Sequence, residues 1–165
     1  MLFTWCPLCA ERLESFHDED AARMRCPACG WVQYRNPTVG AAVIVLDGRN
    51  ILLARRKGSY TGSWCIPCGH VEWDEDVRVS AAREFFEETG IVVDVGPVFD
   101  AHSNFHDPDR RTVGIWFLGT VAGGELRPGS DVSEVAWFSL DAPPLDLAFP
   151  TDRLVLDRLA RETLS

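Results

Sequence analysis

Glu84, Glu87 and Glu88 are the residues of this 165-residue chain whose types and spacing point most directly to chemistry. In a helix, positions i, i+3 and i+4 share one face. Like charges so placed repel by about 0.2–0.5 kcal/mol per pair. Gly90 follows as a helix-ending residue. The carboxylates therefore crowd the helix end at which the macrodipole disfavours anions by about 0.3–1 kcal/mol each. A divalent cation turns this liability into a ligand set, because hard oxygen donors on one rigid face suit Mg2+ or Mn2+, with water and substrate phosphates completing the shell. The competing reading is a solvated charged face with Arg83 and Glu87 as an i, i+4 pair, and the three glutamates alone do not decide between them.

The cysteines form a second constellation. Cys6-Pro-Leu-Cys9 and Cys26-Pro-Ala-Cys29 are sixteen residues apart, the C-x2-C-x16-C-x2-C spacing of a zinc ribbon. Four thiolates make a closed, structural zinc site. Gly30 supplies a permissive backbone after the second pair, while Ala10 stands at the matching place after the first. A ribbon of ~35 residues buries too little apolar surface to fold unaided, and zinc supplies on the order of 10 kcal/mol. Cys65 and Cys68 form a third C-x-x-C pair with no second pair left to complete a site. They read as two packed thiols or as a redox-sensitive pair.

Composition sets the outer bounds. Hydrophobic residues make up 46% of the chain and charged residues 25%, the balance of a folded protein. No apolar run approaches the ~20 residues of a membrane span, and the first residues lack a basic, signal-like region. A cytoplasmic protein without a membrane partner is the expectation. The net charge of −9 makes nucleic acid an unlikely partner and requires local cations or metal to receive an anionic substrate.

Residues 69–91, GHVEWDEDVRVSAAREFFEETGI, follow the pattern G-x5-E-x7-R-E-U-x-E-E-x-G-U, with U an aliphatic or aromatic residue. The fixed positions are Gly69, Glu75, Arg83, Glu84, Glu87, Glu88 and Gly90, with Phe85 and Ile91 at the U sites. Seven such coincidences arise by chance on the order of once in 10⁹ starting points. On these residues the chain resembles a Nudix hydrolase. The resemblance implies an α+β fold, a Nudix α/β/α sandwich with a mixed sheet over 36–165, preceded by the zinc ribbon over 1–35. It implies that Glu84, Glu87 and Glu88 hold Mg2+ or Mn2+ together with the backbone carbonyl of Cys68. Glu75 and Arg83 support the loop–helix–loop geometry, and Glu88 or a later acidic residue accepts the proton of the attacking water. The implied reaction is hydrolysis of a diphosphate bond in a nucleoside diphosphate linked to another group, in the order ADP-ribose, FAD, NADH. The alternative is a Nudix module that binds a nucleotide without cleaving it and acts through its ribbon. Homodimers are common in that family, and no interface is legible in the sequence.

The remaining elements position these residues. Strands are predicted over 38–46, 51–54, 91–95, 97–101, 111–121 and 134–138. A tight turn is expected at Gly123-Gly124, and a closing helix over 153–164 capped by Thr151 or Asp152. In the box helix Val79, Ala82, Phe85 and Phe86 form the expected anchoring arc. Arg55 and Arg56 are candidates for the diphosphate and point to opposite faces if their strand continues. Phe105 and Trp116 are candidates for stacking on a base or for core, and Arg111, with Arg110, for phosphate. Glu134 is a candidate extra ligand or base, with Asp131 as its rival. NADH pyrophosphatases carry S-Q-P-W-W in this region, and this chain does not.

Overall fold

The computed structural model describes residues 3–18, 21–129 and 131–162, and the chain divides into two units, Met1–Asn36 and Pro37–Ser165. The first unit is built on its two Cys-Pro-x-Cys turns, which bond alike. Cys6 N–H donates to Glu11 O (2.8 Å) and Ala10 N–H to Cys6 O (2.9 Å); Cys26 N–H donates to Trp31 O (2.8 Å) and Gly30 N–H to Cys26 O (3.0 Å). Ala10 adopts the left-handed φ of 59° that Gly30 adopts at 77°. Strands β1 (Glu14–Asp18), β2 (Ala21–Arg25) and β3 (Val32–Gln33) form an antiparallel sheet. The buried core here is small, Cys6, Leu13 and Cys26 with Met24 and Trp31 against them.

The second unit contains β4 (Thr38–Asp47), β5 (Asn50–Arg56), β6 (Trp64–Cys65), β7 (Cys68–His70), α1 (Val77–Thr89), β8 (Ile91–Asn104), β9 (Thr112–Gly124), β10 (Val132–Ser139) and α2 (Pro150–Glu162). The strand order is β10-β5-β4-β9-β8, with β4 and β9 parallel and the other neighbours antiparallel. This is the mixed sheet of the expected α+β sandwich. Alternation along the central strands feeds two cores. Ala41, Val43, Val45, Leu52 and Phe117 pack with Ala81 and Phe85 of α1. Ala42, Ile44, Ile51, Leu53 and Trp116 pack with Val155, Leu156 and Leu159 of α2. A strand covered on both faces reads as one apolar run, as 41–46 does. Among the described residues no helix is long and apolar enough to cross a membrane.

Strands β4 and β5 pair only at their hairpin end, Leu46 with Ile51 and Asp47 with Asn50. Beyond it they splay, and the chain from Trp64 to His70 enters the gap. There β6 pairs with β5 (Ala54 opposite Cys65) and β7 with β4 (Ala42 opposite Cys68). At the crossing between them, Val43 N–H donates to Pro67 O (3.2 Å).

Helix α1 begins at Asp76, whose carboxylate accepts from Arg78 N–H (2.9 Å). It ends at Gly90, φ 73°, whose N–H donates to Phe86 O (2.8 Å). The segment 125–129 then satisfies the carbonyls left open at that end: Gly129 N–H donates to Glu88 O (3.0 Å), Arg127 N–H to Thr89 O (2.9 Å) and Glu125 N–H to Gly90 O (3.2 Å).

Several expectations are corrected. The inward face of α1 is Ser80, Ala81, Phe85, Glu88 and Thr89, whereas Val79 and Phe86 are exposed. Ser80 and Thr89 turn inward because their hydroxyls find His70 O (3.1 Å) and Phe85 O (2.6 Å), so the buried arc includes polar residues that hydropathy does not reveal. Residues 91–104 form one strand, with register shifts around Gly96-Pro97. An edge strand tolerates a proline where pairing slips. Gly123 and Gly124 do not turn the chain; they pair with Val92 and Ile91. Helix α2 starts at Pro150, a first-turn residue that needs no N–H partner. Thr151 and Asp152 therefore lie inside it, and Leu164 of the expected helix lies outside the described residues.

A β-carbon added at Gly129 would stand 1.8 Å from Glu87 O, a backbone atom that cannot step aside. Gly129→Ala is expected to destabilise the protein by more than about 1 kcal/mol, read as a fall of several degrees in Tm. An unchanged Tm would mean that the 125–129 segment is not fixed against α1.

Candidate active site

Arg83 organises the exposed half of the carboxylate face. Its Nε and Nη2 donate to the two oxygens of Glu75 (2.8 and 2.9 Å), and its Nη1 to Glu84 Oε1 (2.9 Å) and Glu87 Oε2 (3.3 Å). Nη2 also reaches Ser80 Oγ (3.3 Å) and His70 O (3.4 Å). The Arg83 fork holds the Glu75 carboxyl down at about 2, and these carboxylates raise Arg83 in turn. The three glutamates do share one helix face, but their carboxylates diverge. Glu87 is exposed and Glu84 is largely covered, both drawn to Arg83, whereas Glu88 is 1% exposed and turned the other way.

Glu88 Oε2 accepts a hydrogen bond from Cys68 N–H (3.0 Å). The Glu84 carboxyl lies against the neighbouring Gly69, where an added β-carbon would sit 1.9 Å from its Cδ. Two carboxylates thus converge on the main chain at 68–69 from the helix side. Burial pushes the Glu88 carboxyl up to about 8, and the negative charges of Asp131 and Glu84 add to this, while the Cys68 amide and Arg56 oppose it. A buried carboxylate with one hydrogen bond and two acidic neighbours is only partly offset by the charge of Arg56. Carboxylate oxygens of this kind suit a hard divalent cation, but Glu87 is drawn to Arg83 and does not join Glu88 here.

Arg55 and Arg56 fall on opposite faces of β5. Arg55 is engaged away from Glu88: its Nε donates to Gly62 O (2.8 Å) and its Nη1 pairs with Glu134 Oε2 (3.5 Å), its partner across β5 and β10. Arg56 lies on the carboxylate side. Its Nη1 is 3.9 Å from Cys65 Sγ; burial lowers it, but its neighbours Cys65, Cys68 and Glu88 outweigh this and raise it. Cys65 is buried, its thiol near Ala54 O (3.7 Å). A hydrogen bond with it, and burial, push the Cys68 thiol well up. Of the two acidic rivals, Glu134 is taken up by Arg55. Asp131, whose carbonyl accepts from Lys57 N–H (2.9 Å), is the one whose charge reaches Glu88.

In the 105–111 loop, Phe105 and Arg111 engage each other. Arg111 Nη1 donates to Phe105 O (2.7 Å), and its guanidinium lies 5.2 Å from the Phe105 ring centre. Trp116 is core. Sequence reasoning missed Tyr60, His106 and Phe149, whose rings meet near Arg56. It also missed Asp152 as an interior carboxylate: 1% exposed, accepting from Ile66 N–H (3.1 Å) and from Trp116 Nε1–H (3.2 Å). The capping expectation singled out Asp152 for the wrong partner, and nothing in the local sequence reveals the right one.

In the first unit the four sulfurs of Cys6, Cys9, Cys26 and Cys29 lie within 4.8 Å of one another, with Cys6–Cys29 at 3.6 Å and Cys9–Cys26 at 3.4 Å. Sulfurs bound at the length of a Zn–S bond to one tetrahedral ion would be about 3.8 Å apart, so the cluster is compatible with the expected ribbon. Amides aim at the sulfurs, Leu8 N–H at Cys6 (3.4 Å) and Cys29 N–H at Cys26 (3.5 Å). Burial raises the Cys26 thiol, but hydrogen bonds from Cys29 N–H and Cys9 outweigh it and bring Cys26 down to about 7.

Residues 36–159 match the NUDIX domain. The chain is 34% identical over 126 residues to an ADP-ribose pyrophosphatase of Methanocaldococcus jannaschii, a match covering 75% of this chain and 74% of that protein. It is 32% identical over 155 residues to the NAD-capped RNA hydrolase NudC of Pseudomonas aeruginosa, covering 93% of this chain and 54% of that protein. The chain therefore spans about half the length of that relative. Among solved structures, a NUDIX hydrolase from Nitrosomonas europaea is similar with a TM-score of 0.82 and 27% identity, covering 97% of this chain and 92% of that one.

Burial pushes the Asp152 carboxyl up to about 7, against donation from Ile66 N–H and Trp116 and the charge of Arg56. The unfolded value is about 3.9. A raised folded value contributes stability that is fully present below about pH 3.9 and is lost as pH rises through about 7. Asn at this position does not titrate. The stability of Asp152→Asn relative to the parent, from urea denaturation, is therefore expected to improve as pH rises across that window. A pH-independent difference would show that Asp152 is already ionised inside the fold.

Proposed function

The chain belongs to the Nudix family, and on that premise we propose that this Nudix pyrophosphohydrolase cleaves the diphosphate of a nucleoside diphosphate linked to another group, ADP-ribose first among such substrates. The observation that carries the reading is the burial of Glu88 beside the Glu84 carboxyl and the 68–69 main chain, with no cation in contact with Glu88 among the described residues while Arg83 pairs with Glu84. Similarity to an ADP-ribose pyrophosphatase supports the choice of substrate. FAD and NADH follow as further diphosphates of the same chemistry.

In this reading Glu84, Glu87 and Glu88, with the Cys68 carbonyl, hold the catalytic cation. The chemistry that Mg2+ or Mn2+ held there would supply is to offset the diphosphate charge and acidify the attacking water. Arg56, whose Nε donates to Ser59 O (3.0 Å), receives the diphosphate because it lies on the Glu88 side of β5, whereas Arg55 faces Glu134 and Gly62. Glu75 keeps Arg83 aimed across Glu84 and Glu87. Water adds to one phosphorus, the bridging P–O bond breaks, and Glu88 or Asp131 accepts the water's proton. The products of ADP-ribose are AMP and ribose 5-phosphate. A second reading, an NAD-type diphosphate, is favoured by the similarity to NudC over 93% of this chain. Cys6, Cys9, Cys26 and Cys29 hold a structural Zn2+ in the first unit.

The test is phosphate release, after a coupled phosphatase, from ADP-ribose, FAD, NADH, diadenosine polyphosphates and nucleoside triphosphates with Mg2+ or Mn2+. Glu88→Gln is expected to lower kcat by about 10²–10⁴-fold without lowering Tm, since it removes a buried ionisable group. Retained kcat would remove Glu88 from the mechanism. Silence across the panel from a folded, metal-binding protein would favour a nucleotide-binding module.

Elemental analysis is expected to find one zinc per chain, lost in Cys26→Ser together with the protection of the 3–33 amides from hydrogen exchange. Full protection without zinc would show that the first unit is held by its own packing.

A further inference from the structure

Three rings that the proposed reaction does not use meet in the second unit. Tyr60 comes from the loop between β5 and β6, His106 from the loop between β8 and β9, and Phe149 from the residue before α2. Tyr60 packs edge-to-face with Phe149 at 5.5 Å between ring centres and with His106 at 5.7 Å, and His106 is tilted against Phe149 at 5.8 Å. The Tyr60 hydroxyl is 3.0 Å from His106 Nε2. The Arg56 guanidinium lies 5.3 Å from the centre of the Phe149 ring.

This cluster is not core. Tyr60 is 42% exposed, His106 is exposed and Phe149 half-buried, and none belongs to the two cores of the sheet. The fold also spends conformational energy on it. Tyr60 sits at a φ of 60°, the left-handed region that a β-carbon disfavours by roughly 1–2 kcal/mol. The loop is tied into that shape by Arg55 Nε–H to Gly62 O (2.8 Å) and by Gly62 N–H to Arg56 O (2.9 Å). Strain held in this way, carrying an exposed aromatic ring, is a feature of ligand clamps.

Arg56 stands between the rings and the interior side of the sheet, with Phe149 under its guanidinium, Cys65 Sγ 3.9 Å from its Nη1 and Glu88 within reach of its charge. We propose that Tyr60, His106 and Phe149 form the stacking site for the nucleobase of the substrate, one guanidinium away from its diphosphate. The ligand class is a planar heteroaromatic ring on a ribose phosphate. The rings supply stacking faces, and the Tyr60–His106 pair supplies a polar edge for ring nitrogens. This inference rests on the reading of the carboxylate face as a diphosphate site.

Calorimetric binding of AMP, nicotinamide mononucleotide and ribose 5-phosphate to the 165-residue chain with Mg2+ tests it without turnover. At least one mononucleotide is expected to bind roughly tenfold or more tightly than ribose 5-phosphate, and which one identifies the base. Tyr60→Gly removes the ring while suiting the positive φ, and Phe149→Leu removes the second ring; each is expected to close most of that gap while leaving ribose 5-phosphate binding in place. Melting curves verify that the variants are folded. No preference in the parent, or a preference that survives in folded Tyr60→Gly and Phe149→Leu, would overturn the stacking site. Failure of the hydrolase reading would show separately, in the turnover panel.

Discussion

Glu88 is a carboxylate in the protein interior with a single main-chain donor, and much of the second unit is arranged to provide it. The donor, Cys68 N–H, is available because β4 and β5 separate beyond their hairpin and admit the 64–70 segment between them. Asp152 anchors that segment from the opposite helix through Ile66 N–H, and Val43 N–H anchors it through Pro67 O. The acceptor is fixed from the other side, because 125–129 closes the end of α1 on the carbonyls of Glu88, Thr89 and Gly90. A helix end carrying three carboxylates would otherwise be among the first places to fray.

Electrostatics divides the same helix face in two. On the exposed side Arg83 supplies one positive charge to Glu75, Glu84 and Glu87, in the bidentate geometry that a guanidinium offers and an ammonium does not. On the buried side Glu88 has only the distant charge of Arg56 against those of Asp131 and Glu84. The two halves meet at Glu84, which touches Arg83 on one side and Gly69 on the other. Gly69 therefore has a steric role: any side chain there would occupy the space of the Glu84 carboxyl.

Much of this was legible in the sequence where function is written in short-range spacing. The glutamate triplet and the alternation of Arg55 and Arg56 follow from periodicity within one element, the four cysteines from their spacing, and Glu75 with Arg83 from the resemblance to the Nudix box. What was not legible depends on partners far along the chain. Tyr60, His106 and Phe149 each look like an isolated loop aromatic until three loops meet. Asp152 looks like a helix cap because its donors, Ile66 N–H and Trp116 Nε1–H, lie far away along the chain. Gly123-Gly124 looks like a turn, yet Gly124 is needed where the chain crosses Gly90 so closely that an added β-carbon would stand 2.3 Å from Gly90 O. The inward arc of α1 was misread because Ser80 and Thr89 carry their hydrogen bonds inside with them.

The parallel pairing of β4 with β9 has a kinetic consequence. Thr38 to Val45 pair with Thr112 to Gly119, so the sheet's central ladder joins chain positions that bracket the entire glutamate-bearing segment. Loop-closure entropy must be met before such non-local contacts form. The hairpins β4–β5 and β8–β9 and the helix α1 are local and can assemble early. The 64–70 segment rests on β4 through β7, and β4 gains its second neighbour only when the β4–β9 ladder closes. Formation of the Glu88 environment is thus a late event of folding, and a chain with both hairpins in place still lacks it until its two halves have met.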